Sequence, residues 1–146
     1  MSNFFTPLVE AQHTVLEACS VLGKEKVGII ESLGRTLAED LIAKRANPPW
    51  NNSAMDGFAV RNADLPTDHL VPEPVTLNVI EEVPAGRSAT RSVGRGDAIR
   101  IMTGAPVPAG ADTVIKIEDT EPTKTHVKIF SAVKTGSHIR KQGEDI

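Results

Sequence analysis

The stretch DAIRIMTGAPVPAGADTVIKIE, residues 97–118, decides the fold class. Two apolar-rich runs, 97–102 and 113–118, flank a segment carrying Pro106, Pro108 and Gly110, so one strand ends and another begins across a rigid turn. Val114 and Ile115 give way to Lys116, Ile117 and Glu118, close to the alternation of a half-buried strand. Working outward, VTLNVIEEV (75–83) and HVKIFSAV (126–133) read as two more strands. Pro84-Ala85-Gly86, Gly94-Arg95-Gly96 and Glu121-Pro122 supply turns between them. Short strands with Gly/Pro turns and no long intervening helix imply a compact antiparallel β unit, barrel or sandwich.

The N-terminal third has a different pattern. Thr6-Pro7 reads as an N-cap and first helical position, and Leu8, Ala11, Val15, Ala18 and Leu22 then share one helical face up to Gly23. Leu8, Val15 and Leu22 repeat every seven residues, so this stripe packs either on its own domain or on a partner helix. Cys19 falls within the helical pattern and is expected to be a buried core thiol; alone it forms no internal disulfide and no structural zinc site. Residues 27–32 (VGIIES) read as a strand, and Ser32 then caps a short helix carrying Leu33, Leu37 and Leu41. Asn47-Pro48-Pro49 ends that helix and places a lobe boundary near residue 47. The expected class is α+β, mainly β: a small helical and strand lobe followed by a compact antiparallel β-rich lobe, barrel-like.

Composition narrows the function classes. The 146 residues are 40% apolar and 24% charged, an ordinary globular balance, with four Phe, one Trp and no Tyr. So few aromatics give no stacking platform for single-stranded nucleic acid, and a net charge of −3 argues against general binding to nucleic acid or anionic membranes. Charge is uneven. Residues 1–46 hold five cations against six anions, 47–123 six against eleven, and 124–146 five against two. No run of 18 apolar residues occurs, and MSNFFTPLVEAQ lacks the basic and apolar regions of a signal peptide, so a soluble cytoplasmic protein without membrane partners is expected.

Three segments stand out. In NNSAMDGFAV (51–60), two amides, the Ser53 hydroxyl and the Asp56 carboxylate lie beside small residues that let a ligand approach the backbone. Asp56 suits a cation, a water or a ligand hydroxyl there; an ordinary polar loop and turn accounts for the same residues. In RIMTGAPVP (100–108), a strand ends at Thr103-Gly104, where a hydroxyl and free N–H groups face an anion with Arg100 nearby. Strict alternation separates Arg100 from Thr103, so the two meet one ligand only if the strand twists or ends before Thr103. In RKQGED (140–145), two cations, a glycine and two carboxylates suit a phosphate on one side of a turn and a magnesium-associated group on the other, or else a frayed charged terminus.

Other signals fail. Gly94 and Gly96 interrupt the Arg87, Arg91, Arg95, Arg100 series, so it makes no basic helix. Gly94-x-Gly96 lacks the third glycine of a dinucleotide loop, and no Walker A motif exists. His13, His69, His126 and His138 are scattered without metal-ligand spacing, and no G-x-S-x-G supports a hydrolase.

The segments NPPWNNSAMDGFAV, AIRIMTGAPVPAGADTVIKIED and GSHIRKQGEDI occur in this order, together with ESLGRTLAEDLIA. They closely resemble the N-terminal region of the molybdopterin molybdenumtransferase family, which includes bacterial MoeA and the second half of gephyrin. One departure is Asn51 where the family usually has Asp, which removes a charge but keeps the size. The resemblance implies the last step of molybdenum cofactor synthesis. Adenylylated molybdopterin is bound, its phosphoanhydride is cleaved with Mg²⁺ or Zn²⁺, and molybdate is inserted at the dithiolene with release of AMP. It implies catalytic roles for Asp56, Thr103, Arg140 and Asp145. Ser53, Arg100 and Gly104 are candidate binding positions for the anionic substrate, and no residue is assigned as a metal ligand. It further implies a homodimer, a molybdopterin adenylyltransferase as candidate partner, and a site completed by another domain. Mg²⁺ ligands are accordingly expected mostly outside these residues. The lobes are expected at 1–46 plus 139–146 (completed by later sequence) and 47–138. The chain is expected to be a fragment, inactive alone. The alternative is a scaffold, dimerisation or small-anion-binding module of the same family.

Overall fold

The computed structural model describes residues 5–66 and 73–146; His69 lies outside them. The chain divides into two units between Ile42 and Ala43.

The first unit holds one helix, α1 (Leu8–Ala18), and a 3₁₀ turn at Ile30–Ser32. The helix is shorter than the apolar repeat suggests. It stops at Cys19, and Pro7 rather than Thr6 occupies the N-cap without a side-chain hydrogen bond. Cys19 is exposed, so the expectation of a core thiol is corrected. Residues 27–32 form no strand and residues 33–41 no helix. The physical reason is common to all three. No described residue of this unit is buried, and Ile29, Ile30, Leu33, Leu37 and Leu41 all face solvent. A short apolar run becomes a strand only with a ladder partner, and a short helix persists only where its stripe packs.

The second unit is built on β1 (Asn52–Ser53), β2 (Gly57–Val60), β3 (Val75–Val83), β4 (Asp97–Ile101), β5 (Thr113–Lys116), β6 (Thr120–Pro122), β7 (His126–Ile129) and β8 (Ile139–Arg140). Six strands form one sheet in the order β5-β2-β4-β3-β7-β6, a curled half-barrel with β5 and β6 at its free edges. Every pairing in it is antiparallel except β3 with β4, which run parallel with a register shift between Val79 and Glu81. The four strands expected from alternation are present. β2 is an addition, falling in the segment read as loop and turn.

β2 is the centre of the unit. All four of its residues are buried, because both faces of the sheet are covered. Phe58 and Val60 join Leu77, Ala98, Ile115, Val127 and Ile129 on one face. Ala59 joins Val83, Ile99, Ile101, Ala105 and Val114 on the other. Two-sided burial removes the polar alternation by which a strand is recognised. Gly57 opens β2 because a Cβ there would lie 1.9 Å from the Ile115 carbonyl oxygen of β5.

A second, two-stranded ladder joins β1 to β8, pairing Asn52 with Arg140 and Ser53 with Ile139. The end of the chain is held further by backbone bonds. The Asn47 N–H donates to the Ile146 carbonyl at 3.0 Å, the Asp145 N–H to the Asn47 carbonyl at 2.9 Å, and the Gly143 N–H to the Pro48 carbonyl at 3.0 Å. In this chain residues 139–146 therefore pack within the second unit.

Candidate functional site at the ends of β2 and β4

Antiparallel pairing of β2 with β4 places Gly57 opposite Ile101, so the residues just outside the ladder, Asp56 and Met102–Thr103, emerge together. β4 stops at Ile101 because the next N–H groups turn away. Met102 donates to the Val83 carbonyl at 3.1 Å, and Ala105 donates back to the Met102 carbonyl at 3.0 Å. Gly104 completes that turn at φ 83°, a left-handed conformation open to glycine. The strand thus ends before Thr103, which is the condition for Thr103 and Arg100 to serve one ligand.

β1 fixes the turn from the other side. The Gly104 N–H donates to the Ser53 carbonyl at 2.8 Å, and the Ser53 N–H donates to the Ala105 carbonyl at 3.0 Å. The Ser53 hydroxyl donates to the Met55 carbonyl at 2.6 Å and accepts the Met55 N–H at 3.3 Å. Ser53 is 1% exposed. Its side chain shapes the turn that delivers Asp56 and offers nothing to a ligand in this arrangement.

Asp56 and Thr103 meet directly and are both exposed. Asp56 Oδ1 accepts the Thr103 N–H and the Thr103 hydroxyl, each at 2.7 Å. The Asp56 backbone is anchored in turn, its carbonyl accepting the Ile117 N–H at 2.9 Å. The Thr103 N–H, then the Thr103 hydroxyl, hold the Asp56 carboxyl below its ordinary value against some desolvation, with the Arg100 charge adding to the effect. An ionised carboxylate only accepts, so the Thr103 hydrogen is committed to Asp56. This alters the expectation that Thr103 donates to an oxyanion. The pair presents carboxylate and hydroxyl lone pairs, a surface for hydrogen-bond donors, cations or water.

Arg100 lies one pair inside the ladder, opposite Phe58 on β2 and Glu82 on β3. Its Nε stands 3.9 Å from Glu82 Oε1, an ion pair at the limit of contact. Arg140 and Asp145 form a separate pair, with Nη2 2.6 Å from Oδ2, about half exposed on both sides. No hydrogen bond or ion pair among the described residues joins this pair to Asp56 or Thr103; β1 is the element they share. Asn51 belongs to the same corner, where its side-chain oxygen accepts the Gln142 N–H at 2.9 Å. Asparagine performs that acceptance as an aspartate would, without the charge.

Residues that the motifs did not flag are Glu82 and Lys124, which line one groove with Arg100. The turn expected at Glu121-Pro122 falls one step later, because those two residues belong to β6 and pair with Lys128 and Val127. Lys124 sits in the β6–β7 connection that follows.

Among the described residues no three His, Cys, Asp or Glu side chains converge as a metal site. Asp56 and Asp145 already hold Thr103 and Arg140. Neither carboxylate is joined by further His, Cys, Asp or Glu donors, so the described residues form no magnesium shell by themselves.

The comparisons with known proteins agree with this architecture. The family model of the MoeA N-terminal region (domain I and II) matches residues 6–146. A molybdopterin molybdenumtransferase of Synechococcus elongatus is 40% identical over 126 residues, covering 86% of this chain and 31% of that protein. One from Bacillus subtilis is 41% identical over 125 residues, covering 83% and 29%. The crystal structure of the molybdopterin biosynthesis MoeA protein of Pyrococcus horikoshii superposes with a TM-score of 0.72 at 39% identity, covering 84% of this chain and 32% of that one. The chain thus spans about a third of the length of the relatives it matches, and over that span it belongs to the MoeA N-terminal region family.

Proposed function

We propose that this chain supplies one wall of the site at which molybdenum from molybdate is inserted into adenylylated molybdopterin. The observation that carries the reading is the exposed Asp56–Thr103 pair, held at the ends of two adjacent strands. The substrate combines hydrogen-bond donors on its pterin with oxyanions on its phosphates. An ionised acceptor pair receives the donor end and repels the oxyanion end, which orients the ligand rather than merely holding it. Asp56, kept ionised, is unsuited to act as a general acid near neutral pH and suited to hold a ligand N–H, a hydroxyl or an attacking water. Arg140, with Asp145 orienting its guanidinium, is the second device in this reading, available for bidentate contact with an oxyanion.

The rest of the site is assigned to sequence outside these residues and to a second copy of the protein. The homodimer is supported by the first unit, whose apolar side chains, including Leu8 and Val15 on α1, have no cover within the unit. Those same side chains equally favour a scaffold role, the second reading. The two separate in one assay. The chain is mixed with the downstream two-thirds of the Synechococcus elongatus relative, and molybdenum transfer to adenylylated molybdopterin is followed with AMP release. Transfer that requires both pieces supports the enzyme reading. Stable association of the pieces without transfer overturns it in favour of the scaffold.

A further inference from the structure

A groove of about 700 Å³ opens on the sheet face that carries Phe58. Its lining is set by register. Phe58, Arg100 and Glu82 are cross-strand partners on β2, β4 and β3, so they form one row on one face. Val79 continues that lining along β3. The β6–β7 connection closes the side, bringing Lys124, and the Val79 N–H donates to the Thr125 carbonyl at 2.8 Å to hold it there.

The charges in the groove do not cancel. Lys124 forms no ion pair among the described residues, and Arg100 has only the loose 3.9 Å contact with the exposed Glu82. Two cations therefore face one carboxylate over an apolar floor. Asp56 stands one residue outside β2 and two before Phe58, and the Arg100 charge acts on its carboxyl. Arg100 thus lines the groove one ladder pair inside the strand ends from which Asp56 and Thr103 emerge. One neighbour of Arg100 accepts hydrogen bonds and repels anions, whereas the other draws anions in.

We propose that the groove is an oxyanion subsite, in which a tetrahedral oxyanion lies against Arg100 and Lys124 while hydrogen-bond donors of the same ligand reach Asp56 and Thr103. Glu82 limits the strength of the subsite by competing for Arg100. The identity of the ligand rests on the function proposed above; the presence of the subsite does not. A phosphoryl group and molybdate share the required chemistry, and the experiment tells them apart.

The chain is titrated at low ionic strength with inorganic phosphate, AMP and molybdate separately, and amide shifts are followed at residues 99–101 and 123–125. Saturable shifts are expected. Arg100→Gln and Lys124→Gln each weaken binding about tenfold, the scale of a lost charge-assisted hydrogen bond. Glu82→Gln tightens it up to about threefold, as expected for release of an exposed ion pair. AMP binding more tightly than molybdate assigns the subsite to a phosphoryl ester, and the reverse order assigns it to molybdate; either supports the subsite. No saturation at millimolar concentration by any of the three overturns it. So does equal affinity in the wild type and Lys124→Gln, whose exposed turn position leaves the fold intact. In the two-piece transfer assay, full activity of Lys124→Gln removes the subsite from the reaction and leaves the enzyme reading standing. Normal oxyanion binding without transfer by the wild type does the opposite.

Discussion

The Asp56 carboxylate holds the backbone N–H and the hydroxyl of Thr103 on a single oxygen, both at 2.7 Å, across 47 residues of sequence. Three backbone anchors keep the two residues in place: Ile117 to Asp56, Gly104 to Ser53, and Met102 to Val83. The pair is exposed yet positioned by the most buried strand of the unit.

Titration of Asp56 tests the bonding. Its carboxyl carbon, followed by NMR, is expected to titrate below the ordinary Asp range. Thr103→Val removes the hydroxyl and keeps the N–H, which is the larger influence, so the midpoint moves only part of the way back up. Because the folded-state value is depressed, the associated stabilisation is present above the unfolded value and is lost as pH falls through the folded one. An unmoved midpoint in Thr103→Val would mean that the hydroxyl is bonded elsewhere.

Glu81 makes a similar prediction away from the site. Its carboxylate accepts the Thr90 N–H at 2.9 Å and the Arg91 N–H at 2.9 Å, tying down the loop between β3 and β4. The Thr90 N–H, with Arg91 and the Thr90 hydroxyl adding, lowers its pKa against some desolvation. Protection of the Thr90 and Arg91 amides from hydrogen exchange, corrected for intrinsic rates, is expected to hold at neutral pH and to fall as acid protonates Glu81. Glu81→Gln should lower that protection already at neutral pH, and an unchanged pattern would refute the anchor.

Gly57 is predicted to tolerate no side chain. Gly57→Ala forces β2 away from β5, at a cost of about 1–3 kcal/mol typical of overpacking, read by urea denaturation. A wild-type midpoint would show that the two strands separate without penalty.

Arg140→Gln is expected to split stability from function. The pair with Asp145 is half exposed, so its loss changes unfolding free energy by less than about 1 kcal/mol, while backbone bonds from Asn47 keep the terminus in place. Transfer in the two-piece assay should nevertheless fall sharply. Parallel losses in both measurements would make Arg140 a structural residue only.

What the sequence disclosed follows from where burial is one-sided or punctuated. β3, β4, β5 and β7 alternate or sit between Gly/Pro turns, and all four were legible. β2 was not, because Gly57–Val60 is buried on both faces and follows a polar turn, so it has neither alternation nor length. β1, β6 and β8, of two or three residues each, are made by their partners rather than by propensity. In the first unit the apolar spacing of Leu33, Leu37 and Leu41 suggested a helix, but periodicity becomes structure only where something covers the stripe. The meeting of Asp56 with Thr103 needed the β2–β4 register, which no local pattern contains. The motifs marked the two residues without indicating that one consumes the other's proton.

The most direct test of the account is Asp56→Asn in the two-piece transfer assay, run beside Thr103→Ser and Thr103→Val. The account predicts that Asp56→Asn lowers transfer by about a hundredfold or more, the scale of a lost orienting carboxylate. It also predicts that Thr103→Ser retains activity, that Thr103→Val loses it, and that combining Asp56→Asn with Thr103→Val adds little to either loss. Wild-type transfer by Asp56→Asn, or fully additive losses in the double variant, would contradict it.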